Sequence, residues 1–155
     1  MQLKDKVIIV TGGGRGIGEA IAVGYAQEGA KVVVAARSIG QLDQVVEKIQ
    51  SQGGQAISVP TDARFLPQVE NLVQQTVDQF GKIDVLVNNA GIARGASIEE
   101  TSEELWDEVL AVNTKGVFLG TRRAIPVMRR AGGGSIINVS SIAGILGRKL
   151  APAGY

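Results

Sequence analysis

Five short runs rich in valine, isoleucine and alanine recur along the chain: KVIIVT, KVVVAA, QAISVP, IDVLVN and SIINVS. Each is continuously apolar rather than alternating, the pattern of a strand covered on both faces. Between the runs the period changes. Ile17, Ile21 and Tyr25 recur at helical spacing, as do Leu42, Val45, Val46 and Ile49, and then Val69, Leu72, Val73, Val77 and Phe80. A longer helix is expected from about Glu103 toward Arg130, bent or interrupted at Pro126. Gly29 and Gly81 stand where the first and third helices should stop. Alternating strand and helix predicts an α/β fold, a doubly wound parallel sheet in three layers. No repeat at a solenoid period interrupts this, and AGGGS reads as a turn.

Composition narrows the chemistry. The 155 residues suffice for one domain, 1–155. With 20% charged residues and a formal net charge of +1, nothing points to nucleic acid or a membrane as partner. The chain has no cysteine and no histidine. That excludes disulfides, thiolate and imidazole metal sites, cysteine nucleophiles and a Ser-His-Asp triad, so no metal is expected. The apolar start at Val7 to Val10 is too short for a signal segment or a spanning helix, and a cytoplasmic location is the expectation. What remains is Ser, Tyr, Asn, Lys, Arg, carboxylates or a bound cofactor.

TGGGRGIG follows the first strand and opens the first helix. Glycines there let the backbone approach a pyrophosphate, and the helix N-terminus offers free N–H groups and a favourable dipole. No Lys-Ser/Thr pair follows, which argues against a nucleoside-triphosphate loop. The spacing, Thr11-Gly12 then Gly16 and Gly18, resembles the glycine motif of the short-chain dehydrogenase/reductase family. NNAG at Asn88 to Gly91, Asn113 in AVNTKG, and INVSSIAG at Ile137 to Gly144 match that family in the same order. The resemblance covers essentially the whole chain and implies a Rossmann-type nucleotide-binding domain, with Gly12, Arg15, Gly16, Ile17 and Gly18 around the cofactor.

The second strand ends in VVVAARS, with Ala35 and Ala36 where an NAD site usually carries an acid. Arg37 follows at once and Arg15 lies in the glycine loop. A guanidinium can bind a 2′-phosphate bidentately where a carboxylate would repel it. At about 1.5–3 kcal/mol per charge-assisted bond, two arginines favour NADP(H) over NAD(H) by tens- to thousands-fold. Two solvated surface arginines are the alternative. By resemblance, Asp62 bonds the adenine and Ala63 packs beside it, although Asp62 could equally cap a helix. Asn89, Ala90 and Gly91 are expected to line the cofactor cleft, with a structural asparagine as the competing reading.

Hydride transfer to a carbonyl creates an alkoxide that needs a proton. Without histidine, a tyrosine is the natural donor; its free pKa of about 10 must fall by about three units to serve near pH 7. The resemblance implies Tyr155 as that tyrosine, Ser141 rather than Ser140 as the group polarising the carbonyl, and Asn113 in the proton relay. Ser141 and Tyr155 lie 14 positions apart, one more than the family habit, and the family's lysine beyond the tyrosine falls past the last residue. A loop tyrosine, with the true one farther on, is therefore the alternative. Five strands where such a sheet has about six lead to the expectation that the chain is cut at its catalytic tyrosine, its C-terminal strands missing.

The expected activity is an NADPH-dependent reductase of a small or acyl-carrier-bound carbonyl, similar to 3-oxoacyl-(acyl-carrier-protein) reductases. A broad-range secondary alcohol dehydrogenase is the alternative within the family, and a non-catalytic nucleotide-binding fragment the alternative outside it. A methyltransferase on a related sheet would want an acid where Ala36 and Arg37 stand. The resemblance also implies a homo-oligomer, a tetramer, associating through the long helix from Glu103 and the helix after it.

Overall fold

Each of the five apolar runs forms a strand in the computed structural model, which describes residues 1–145. The strands are β1 (Val7–Thr11), β2 (Lys31–Ala36), β3 (Gln55–Pro60), β4 (Val85–Asn88) and β5 (Ser135–Asn138). All pairings are parallel, in the order β3-β2-β1-β4-β5. β1 therefore sits at the centre, pairing Val10 with Val34 on one side and with Val87 on the other. The chain winds outward to β3, crosses back, and adds β4 and β5. That reversal leaves a crevice between β1 and β4 at the carboxyl ends of the strands.

Five helices cover the sheet: α1 (Gly16–Gln27), α2 (Ile39–Ser51), α3 (Leu66–Phe80), α4 (Glu103–Leu110) and α5 (Gly116–Arg130). Successive residues of a strand point to opposite faces, and the core divides accordingly. Ile8, Val10, Val32 and Val34 pack with Leu42, Val45 and Ile49 of α2 and Ala22 and Ala26 of α1. Ile9, Val33, Val59 and Leu86 pack on the other face with Leu72 of α3 and Ala124 and Met128 of α5. The three layers are in place. Gly29 and Gly81 stand just past α1 and α3 with φ of +86° and +81°, the left-handed backbone of a helix end.

Three details depart from the sequence pattern. The two edge strands are not covered on both faces: Gln55 and Pro60 of β3 are exposed, and so are Ser135, Ile137 and Asn138 of β5. An apolar run signals a strand but not how fully its two faces are covered. Second, the face that α1 buries is Gly18, Ala22 and Ala26, while Ile17 is 67% exposed. Small residues let this helix lie close to the sheet, which the Ile17, Ile21, Tyr25 spacing concealed. Third, the long helix is broken at Ala111–Lys115, a wide π-type turn, and not at Pro126. Pro126 sits on an exposed face of α5, where the carbonyl it leaves without an N–H can reach water. No helix among the described residues is long and apolar enough to cross a membrane.

Candidate functional site

The crevice is a cleft of about 860 Å³ at the carboxyl ends of β1 to β4. Gly12, Arg15, Gly16, Ile17, Gly18, Arg37, Asp62, Ala63, Asn89, Ala90 and Gly91 all line it, together with Ser38, Gln41, Ile92 and Val112. Residues from four separate loops thus meet at one place. In the first loop, Gly12 and Gly16 take φ of +66° and +56°, which side chains disfavour. Gly18 is needed for a different reason. A methyl group there would overlap the Gly12 carbonyl oxygen and stand 2.6 Å from Asn89 Nδ2. At the α1 N-terminus, Arg15 occupies the cap position without a side-chain bond, so the first N–H groups of the helix remain available at the cleft.

A threonine fixes this geometry. Thr11 Oγ1 donates to the Val87 carbonyl at 3.2 Å and accepts from the backbone N–H groups of Asn89 at 3.0 Å and Ala90 at 3.1 Å. Asn89 Nδ2 returns the tie, donating to the carbonyls of Thr11 at 3.0 Å and Gly12 at 3.3 Å. The ends of β1 and β4 are locked together, and the glycine loop with them. Deeper, the buried Asn88 donates through Nδ2 to Asn138 Oδ1 at 2.9 Å and to Thr121 Oγ1 at 3.2 Å, joining β4, β5 and α5. Sequence reasoning placed Thr11, Asn88 and Asn138 inside motifs but gave them no role, and it passed over Thr121. Threonine at a strand end reads as one more β-branched strand residue, and no spacing rule announces a network between elements.

At the far end of the cleft, Ala35 and Ala36 close β2 and leave no carboxylate there. Arg15 and Arg37 are exposed, and no ion pair among the described residues uses either. Asp62 is different. Its carboxylate is paired with Arg64, Nη2 to Oδ2 at 2.6 Å, and accepts the Arg64 backbone N–H at 3.1 Å. The bonds from Arg64 hold the Asp62 carboxyl below the usual carboxylate range, against partial burial and with a further push from Arg37. Asp62 does not cap α3, whose cap position belongs to Phe65.

Asn113 lies on the π-type turn, where a helix widened by one residue presents groups an ordinary turn would not. Its Oδ1 accepts from the Ile92 N–H and its Nδ2 donates to the Ile92 carbonyl, both at 2.9 Å. The turn is thereby tied to the loop after β4. Gly116, just beyond, packs so close to Ala63 that a methyl group would stand 3.1 Å from its Cβ. Ser141 follows β5, half-buried, and its Oγ accepts from the Ala143 N–H at 3.1 Å. A hydroxyl that accepts still has its hydrogen to give. Ser140 is exposed, and Tyr155 lies outside the described residues. No cluster of acidic, histidine or cysteine residues suited to a metal occurs among the described residues.

The family model described as short chain dehydrogenase matches residues 6–153. The chain belongs to this family. Proteins named as oxidoreductases or reductases resemble it over nearly its whole length. An uncharacterized oxidoreductase of Thermotoga maritima is 46% identical over 147 residues, which are 95% of this chain and 58% of that protein. A 3-oxoacyl-(acyl-carrier-protein) reductase from the same organism is 42% identical over 95% of this chain and 60% of its own length. A crystal structure from Burkholderia xenovorans, described as that of a short-chain dehydrogenase/reductase, superposes with a TM-score of 0.95 at 35% identity. It is matched over 99% of this chain and 63% of its own. The chain thus spans about three fifths of the length of the relatives it matches.

Proposed function

We propose that the chain carries the nucleotide-binding part of an NADP(H)-dependent oxidoreductase acting on a ketone or secondary alcohol. A 3-oxoacyl-(acyl-carrier-protein) reductase is the preferred activity, because relatives from Thermotoga maritima and a Synechocystis species bear that name at 42% identity. A dinucleotide fits the residues present. The glycine cradle and the uncapped N-terminus of α1 suit a pyrophosphate. Arg15 and Arg37, both without ion-pair partners among the described residues, suit an added phosphate. When bound, the nicotinamide supplies or takes up a hydride. Ser141 would hydrogen-bond the carbonyl oxygen without giving up its hydrogen, Tyr155 would supply the one proton that this oxygen takes, and Asn113 would hold the loop at Ile92 in place.

The observation that carries the cofactor preference is the pair of arginines standing where Ala35 and Ala36 leave no acid. Arg37→Asp is expected to weaken NADPH by about tenfold or more and to spare NADH, since one charge-assisted contact is lost and a repulsive one gained. Paired fluorescence titrations of the intact protein measure this. Equal loss for both cofactors would remove Arg37 from phosphate recognition.

A further inference from the structure

A carboxylate stands close to the place where the pyrophosphate would sit. Glu19 is the acidic residue in the first turn of α1. Its N–H is taken by the Arg15 carbonyl at 3.3 Å. The three N–H groups before it, on Gly16, Ile17 and Gly18, are those the helix leaves free at the cleft. The positive end of a helix dipole acts on anions within about one turn. A carboxylate in that turn competes with a pyrophosphate for the same field and repels it as well.

Lys48 meets this carboxylate. Its Nζ donates to Glu19 Oε1 at 2.7 Å from the last turn of α2. α2 begins beside the cleft, because Ser38, just before it, is part of the wall. Its last turn therefore lies at the end remote from the cleft, and Lys48 holds the carboxylate from that side. The pair is not needed to join the helices. Ala22 and Ala26 already pack with Leu42, Val45 and Ile49, and a second tie, Gln27 Nε2 to Gln52 Oε1 at 3.2 Å, carries no charge. An ion pair partly in water adds little to stability.

We infer that Lys48 is a positioning residue for the dinucleotide site: it holds and neutralises the Glu19 carboxylate, so that the N-terminus of α1 is left to the pyrophosphate. This rests on the dinucleotide reading above, though not on the choice between NADP(H) and NAD(H), since both cofactors carry the pyrophosphate. A pair that only braced α1 against α2 would be broken equally by removing either charge. The two roles differ in sign at Glu19.

The test is titration of the intact protein with NADPH and NADH at an ionic strength of about 0.01 M, where the screening length is about 30 Å. Lys48→Met is expected to weaken both cofactors by about threefold. Glu19→Gln should leave both at least as tight as in the wild type, and the double variant should regain the wild-type affinity. At about 1 M salt, with a screening length of about 3 Å, most of the loss in Lys48→Met should vanish. Lys31→Met is the control, at the start of β2 and so at the edge of the sheet away from the cleft. Unchanged binding in Lys48→Met, weaker binding in Glu19→Gln, a double variant as weak as Lys48→Met, a loss that survives high salt, or an equal loss in Lys31→Met would each overturn the inference while leaving the dinucleotide reading intact. If Lys48→Met does not fold, Glu19→Gln decides: binding at least as tight as the wild type supports the inference and weaker binding overturns it. A wild type that binds neither dinucleotide overturns both.

Discussion

Thr11 shows how much one hydroxyl can organise. It accepts two backbone N–H groups at the start of the loop after β4 and donates to a third backbone group. Thr11→Val preserves shape but strands the half-buried Ala90 N–H and leaves the Asn89 N–H only its second acceptor, the Val87 carbonyl at 3.1 Å. An unpaired buried donor costs about 1–3 kcal/mol, so the variant should lose about 1 kcal/mol or more, and Thr11→Ser should recover most of it. Urea denaturation of both variants measures this; a valine variant as stable as the wild type would refute the role. Sequence reasoning reached the glycines here because positive φ and close approach restrict residue choice severely. It could not reach the role of Thr11, since many residues are acceptable in a strand and only the finished fold says which hydroxyl has three partners. Asn89 lies between these cases: it lines the cleft, but its amide is engaged by Thr11 and Gly12.

At the scale of elements, strands were legible and the ends of long helices less so. An uninterrupted Val/Ile run has few alternatives to a strand, and five such runs gave five strands. The π-type turn at Ala111–Lys115 has no comparable signature, because it answers to Ile92 and Ala63 on neighbouring loops rather than to its own residues. Asp84, at the opposite edge of the sheet from the cleft, illustrates the same dependence. Its carboxylate accepts the Val7 N–H at 2.8 Å and pairs with Lys82 at 2.9 Å and Lys6 at 3.5 Å, tying the beginnings of β1 and β4. Burial alone would raise its pKa; the Val7 N–H and the two ammoniums outweigh this and lower it. The folded state therefore holds the proton less tightly than the unfolded chain. The stabilisation is complete above the unfolded carboxyl's pKa of about 4 and fades as the pH falls through the lower folded value. Asp84→Ala is expected to lose about 1–3 kcal/mol at pH 7, mostly through the stranded Val7 N–H because both lysines are well exposed. The gap from the wild type should narrow on acidification. Denaturation curves at pH 7 and pH 3 would show it, and a pH-independent gap would count against the ionised clamp.

For the whole molecule, the parallel three-layer sheet followed from alternation, whereas assembly rests on surface that periodicity cannot rank. Trp106 on α4 and Phe118 and Ile125 on α5 are partly exposed, at 41%, 57% and 38%. Apolar surface on consecutive helices favours association, and the intact protein is expected to associate through these helices. Light scattering at micromolar concentration should report it, and Phe118→Lys should shift it toward smaller species. A monomeric wild type would contradict the expectation. The pair Asn88 and Asn138 has another bearing. These residues are opposite each other in the pairing of β4 with β5, and the remaining partners, Val85, Leu86 and Val87 against Ser135, Ile136 and Ile137, could slide with little loss of apolar contact. Moving β5 by two residues, the smallest shift that keeps the same side chains on the same face, would set Ile136 beside Asn88. The Asn88 amide would then lose its carbonyl partner inside the sheet, where an unmet donor is expensive. The observed alignment closes the bond and that shift breaks it, so this pair encodes information more than strength, rejecting a misthreaded version of an otherwise interchangeable ladder as the sheet assembles.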